Sequence, residues 1–125
     1  MAVTHVTALR TTLADAAVDA IDAGAGAGLL EFRTAADVEV ATLTFSDPAF
    51  GAAAAGVATA SAITDDASAT GGTIAKAALR TSVPADVILC SVTATGGGGD
   101  IELNSVVVSA GQQVSVTSLT YTAPL

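Results

Sequence analysis

Apolar positions change their period once along this chain. Before Gly24 they recur at three- and four-residue steps, and after Gly28 they alternate. Val6, Leu9, Leu13, Ala16, Ala17, Ala20 and Ile21 form one stripe, which predicts a helix over residues 4–23. That stripe is expected to be buried against the protein's own sheet or a neighbour. Arg10, Asp15, Asp19 and Asp22 fall largely outside it. Thr4 or Thr7 is placed to cap the start, and Gly24 stops the helix. Residues 24–28, alternating Gly and Ala, read as a flexible connector with no side chains to pack.

The alternation after Gly28 predicts a β-domain over residues 29–122, and residues 1–125 together read as a single domain. Leu30 and Phe32 share one face of a first strand, and Val38 and Val40 share a face of the next. Leu43 and Phe45 then take the opposite parity. Such a slip needs a bulge or a strand apolar on both faces. Ser46-Asp47-Pro48 signals a turn, and residues 52–56 read as loop or strand edge. Residues 57–64 form a strand with an alanine face, and Asp65-Asp66 and Thr70-Gly71-Gly72 mark the next turn. Four more strands are expected at 74–81, 86–95, 101–109 and 113–122, with Gly96 to Gly99 as a mobile hairpin tip. Short strands at regular spacing predict a mainly β fold. It is an antiparallel sandwich or barrel-like domain behind one N-terminal helix, with at least six strands.

Composition changes what this core can be. Hydrophobic residues make up 51% of the 125 positions, but aromatic residues only 3%, and much of the remainder is Ala. Burial contributes about 25 cal/mol per Å² of apolar surface, so an Ala-rich core is thin for its length. The fold is therefore expected to bury further surface against neighbouring subunits. Val106, Val107 and Val108 are consecutive, so both faces of their strand are apolar, one for the core and one for a partner. Leu9, Leu13, Ala17, Ile21, Val106, Val107 and Val108 are accordingly the candidate subunit- or core-packing residues.

Charge narrows the partners. The formal net charge is −8, with Arg10, Arg33, Lys76 and Arg80 as the only Lys or Arg residues and no basic run. Nucleic acid and anionic membrane surfaces would both repel such a chain. The N-terminal stretch lacks the basic-then-apolar pattern of a signal peptide, and no apolar run reaches the length of a membrane span. Synthesis in the cytoplasm is expected, with no membrane partner.

The catalytic inventory is poor. His5 is the only histidine and reads as a solvated residue near a fraying end. Cys90 is the only cysteine. It lies in an apolar run and reads as a buried, inert thiol. One His and one Cys do not make a zinc site of the usual type. The glycines at 24, 26 and 28 follow a helix and precede a strand, the reverse of the order a dinucleotide fingerprint requires. Asp15, Asp19 and Asp22, the pair Asp65-Asp66, and Asp100 with Glu102 could each hold calcium only weakly, and a solvated acidic surface is the simpler reading. The expectation is a non-enzymatic protein with no catalytic, cofactor-binding or metal site.

Several blocks carry a resemblance. They are residues 21–30 (Ile21 to Leu30 through the Gly/Ala run), residues 41–51 (Ala41 to Gly51 through Ser46-Asp47-Pro48), residues 100–105, and residues 109–116. In these the chain resembles a family of small tailed-bacteriophage structural proteins of poorly described function. The family tends to carry longer sequence after the Leu30 strand and more aromatic residues near position 77. Here the chain reads Ala75-Lys76-Ala77-Ala78, so local packing should differ. The resemblance implies a virion protein encoded among head and tail genes, and it brings no catalytic residues. Acidity and small side chains favour a capsid decoration, or cement, protein on the outer head surface. Such a protein would pack as a homo-oligomer, a trimer, against the major capsid protein or other virion proteins. A tail component (tube, completion or fibre-base protein) is the alternative, and an enzyme or small-ligand binder is the least favoured.

Overall fold

The computed structural model describes residues 3–124. Helix α1 (Thr7–Asp19) runs into one 3-10 turn at Ala20–Asp22. The strands that follow are β1 (Leu29–Arg33), β2 (Glu39–Thr44), β3 (Val57–Thr59), β4 (Gly72–Thr73), β5 (Lys76–Arg80), β6 (Asp86–Ala94), β7 (Ile101–Leu103), β8 (Val107–Val108) and β9 (Thr120–Thr122). Five of them make a curled sheet in the order β2-β1-β5-β6-β7, and β3–β9 and β4–β8 form two small ribbons. The molecule is thus mainly β behind one N-terminal helix, in a sandwich- or barrel-like arrangement, as the change of period predicts.

Alternation places the core on one face of the sheet. Leu30 pairs with Leu43 on one side and Leu79 on the other, and Phe32 lies between Ala41 and Ala77. All six are buried. Ala41 and Ala77 are thus small residues on either side of the fully buried Phe32. Val18 and Ile21 cover this face together with Phe45 and Phe50, whose rings lie 5.7 Å apart. The parity slip in β2 is a bulge. Phe32 pairs with Ala41 and Arg33 with Glu39, which leaves Val40 as the extra residue. Both Val40 and Ala41 are buried, whereas Val38 is exposed and does not share the face of Val40.

Four sequence expectations are corrected. No side chain caps α1, whose N-cap is Val6. The Thr11 and Thr12 hydroxyls donate instead to the carbonyls of Thr7 and Ala8. The Gly/Ala connector is packed rather than loose. Gly28 is buried, and the Gly26 N–H donates to the Ser82 hydroxyl at 3.2 Å. The pairing of β6 with β7 is parallel, not antiparallel. The glycine run between them folds back on its own strand, where a Cβ on Gly97 would come within 2.6 Å of Thr93. Finally, the late strands are shorter than the alternation suggests. Residues 101–109 divide into β7 and β8 around Asn104 and Ser105, and 113–122 holds one bridge at Val114 before β9.

Candidate interaction surfaces

Helix α1 sits on β3 and β9. Between Ala49 and Val57 the chain makes few backbone pairings of its own, so its N–H groups need other acceptors. The helix supplies them. The Asp22 carboxylate accepts the Ala49 N–H at 2.9 Å, Asp15 accepts that of Ala53 at 2.7 Å, and the Thr11 hydroxyl accepts that of Gly56 at 3.1 Å. Arg10 donates from Nη2 to the Ala123 carbonyl. These polar groups share a face with Ala14, Val18 and Ile21, which are all buried.

That rotation turns the larger apolar residues outward. Leu9 is 43% exposed and Leu13 36%, and Val3 and Val6 are more exposed still. Ala16 and Ala20 are exposed along the same line, and Ala17 is half-buried at its border. Of the seven residues expected to pack, Ile21 and Val108 therefore lie in the core of the chain. Ala17 and Val106 are half-buried, and Leu9, Leu13 and Val107 face outward. The side of α1 that the chain itself buries is thus about one position around the helix from the expected stripe, and of the two coverings expected for Leu9 and Leu13 the protein's own sheet is not the one they take. The reason is electrostatic: carboxylates that satisfy buried backbone donors must point in, and leucines on the other side point out.

The outer face of the five-stranded sheet is the second surface. Glu31 and Arg33 alternate on β1 and lie over the same face as Lys76, Ala78 and Arg80 of β5. Arg33 forks onto Asp86 at 2.8 and 3.1 Å and bonds Glu31 through Nε at 2.6 Å. Arg80 reaches Glu31 through Nη1 at 2.9 Å. Its Nε lies 2.8 Å from Asp86 Oδ1 but without the alignment of a hydrogen bond. Lys76 pairs with Asp37 at 3.1 Å. The hydrogen bonds that Arg33 donates to Asp86, then to Glu31, raise its pKa; the same bond from Arg33 holds the Asp86 carboxyl below its ordinary range. Beside this network Leu89 is 68% exposed, next to a cleft of about 490 Å³ lined by Ala75, Ala77 and Cys90.

The residues considered for chemistry are dispersed. His5 is half-buried ahead of α1, not solvated as expected. Cys90 is half-buried rather than buried. Burial, and then the charge of Asp100, push its thiol up, which keeps it protonated and a poor nucleophile at neutral pH. Several carboxylates read as a solvated acidic surface are structural acceptors. Asp66 accepts the N–H groups of Thr42 and Ser68, Asp100 that of Ser91, and Glu102 those of Gly96 and Gly98. Among the described residues no group of three or more His, Cys, Asp or Glu is placed to hold a metal ion. No helix among them is long and apolar enough to cross a membrane.

No family model matches the chain, and no curated protein or solved structure matches it either. The assignment of surfaces therefore rests on the residues themselves. Sequence reasoning missed the Glu31–Arg33–Arg80–Asp86 network, although its signal was present. Glu31 and Arg33 share a parity, and Arg80 and Asp86 flank one turn.

Proposed function

We propose that this chain is a non-enzymatic structural protein of a tailed-phage particle, a decoration protein that packs as a homo-oligomer on the outer head surface and stabilises it. The observation that carries the reading is the outward apolar stripe of α1, Val6, Leu9 and Leu13, on a helix whose polar side is used up holding the fold. Exposed apolar residues in a contiguous line mark contact surfaces. The acidic surface supports a position away from packaged nucleic acid, because phosphates would repel it. The sequence resemblance to small phage structural proteins supplies the setting.

The test is addition of the purified chain to particles lacking it. Saturable binding to the head and a raised temperature of head disruption are the expected result. Binding to tails alone would move the assignment to a tail component, and binding to neither would remove the virion reading.

A further inference from the structure

A cleft of about 390 Å³ lies where the two late strands fall short of their alternation. One wall is Glu102 and Leu103 of β7 with Asn104 and Ser105, and the other is residues 113–118. Ile74 and Val108, both buried, form its inner surface, and Val107, 63% exposed, lines it as well. Glu102 is its only charged lining residue, and none of the four Lys and Arg residues is among them. Asp65 stands beside it, accepting from the Gln113 amide at 2.7 Å.

Both walls carry unused backbone. β7 is the last strand of the five-stranded sheet. Its Leu103 carbonyl accepts the Thr95 N–H, so Leu103 points its backbone groups at β6. Glu102, next to it, therefore turns its N–H and carbonyl to the open side. On the facing wall Val114 exchanges both its backbone bonds with Asp66, and there the pairing stops. Among the described residues nothing hydrogen-bonds to the backbone of residues 115–118. Half-buried Val114 and Val116 still alternate there with exposed Ser115 and Thr117, as in a strand. Residues 113–118 also hold neither the charge nor the proline that keeps an edge from pairing.

We infer that this cleft receives an extended strand of another polypeptide, whose backbone pairs with Glu102 on one side and with residues 115–118 on the other. Main-chain bonds supply the affinity in such strand addition, and pockets for alternate side chains supply the selection. The inner surface of Ile74, Val108 and Val116 takes apolar side chains at every second position of the guest. Carboxylates on the guest are repelled by Glu102 and Asp65, so the guest is neutral or basic. A second copy would bring a net charge of −8 to a cleft that no Lys or Arg lines. The guest strand is therefore assigned to the shell protein, a source that rests on the proposed function, whereas the cleft does not.

The test is an NMR titration of the full chain with a capped heptapeptide of alternating Val and Thr between two terminal Lys residues. Saturable shifts at residues 102–107 and 113–118 are the expected result, with slowed exchange of the Glu102 and Ser115 amides. The same peptide with Glu at its ends should bind at least tenfold more weakly, and N-methylation of its inner residues should abolish binding. No shift at these residues would overturn the site. Equal binding of the N-methylated peptide would overturn backbone pairing. The Lys-ended peptide should also compete with the chain for heads, and Leu13→Asp should still take it up, which separates this cleft from the α1 stripe. Binding in the cleft without competition would overturn the shell as the source of the strand. Oligomers of the parent chain dispersed by the peptide in sedimentation would assign the strand to a second copy instead. A parent chain that binds no heads would remove the virion reading and the source together, while the titration would still decide the cleft.

Discussion

Asp15 and Ala53 are joined by a 2.7 Å hydrogen bond from the Ala53 N–H to the Asp15 carboxylate, across 38 positions of sequence. The bond fixes how α1 is rotated on the body of the protein. Asp15→Ala leaves a half-buried donor without its acceptor, which should cost about 1–2 kcal/mol. Asp15→Asn keeps an acceptor oxygen and should recover most of that. Urea denaturation of the three chains checks the order. An unchanged midpoint in Asp15→Ala would mean that apolar contact alone seats the helix.

The rotation separates two substitutions that look alike in the sequence. Val18 is 1% exposed, and a carboxylate placed there would be buried without a partner. Val18→Asp should abolish the cooperative thermal transition. Leu13→Asp faces water and should change stability by no more than about 1 kcal/mol. Its effect belongs to assembly: binding to heads should be lost while the free chain melts normally. If Leu13→Asp unfolds the isolated chain, α1 is rotated otherwise than described.

Legibility followed the strength of the periodic signal. The change of period at the glycines marked the helix, the strands and the sheet class, because alternation over β1 reflects one buried face. The bulge at Val40 was visible as a parity slip. The face of α1 was not, because Leu outweighs Ala and Asp in any hydrophobic count. Only the unpaired N–H groups of a distant loop, supplied by Ala49, Ala53 and Gly56, decide that Asp15 and Asp22 turn inward. The parallel β6–β7 pair was hidden for a similar reason. A four-glycine run ordinarily signals a hairpin, and here its N–H groups are taken by the side chains of Glu102 and Thr93 on the flanking strands.

Asp86 gives stability a defined pH dependence. Its folded-state pKa lies below the ordinary carboxylate range because Arg33 bonds the ionised form. The contribution is therefore complete at neutral pH, above the titration of the unfolded carboxylate, and is lost as pH falls through the folded value. The side chain is 36% exposed, so solvent screening limits the contribution to about 1 kcal/mol or less. Asp86→Asn should be less stable than the parent chain at neutral pH by that amount. The gap between their urea midpoints should begin to narrow below about pH 4 and close once the pH is under the lowered folded value. A gap that persists unchanged in acid would show that Asp86 acts through packing and not through its charge.

The glycine connector gives a test in which two readings predict opposite signs. In a flexible linker, Gly→Ala at a permissive conformation stabilises by about 0.4–1 kcal/mol, because the unfolded chain loses freedom. Gly28 is not free in that sense. A Cβ there would lie 2.5 Å from Ile21 Cγ2 and 2.7 Å from the Arg80 carbonyl oxygen. Ile21 is fully buried, and Arg80 belongs to the central strand β5, so neither can withdraw cheaply. Gly28→Ala should therefore destabilise by about 1–3 kcal/mol, the cost of overpacking. Gly26 is the internal control. A Cβ there would meet only Ser82 Cβ, at an ordinary 3.8 Å, so Gly26→Ala should be neutral or slightly stabilising. Thermal melts of the two variants beside the parent chain read the difference directly. Equal, small effects at both positions would mean that residues 24–28 are a spacer. Loss at Gly28 alone would establish that the backbone approach between the helix end and β5 is part of the core.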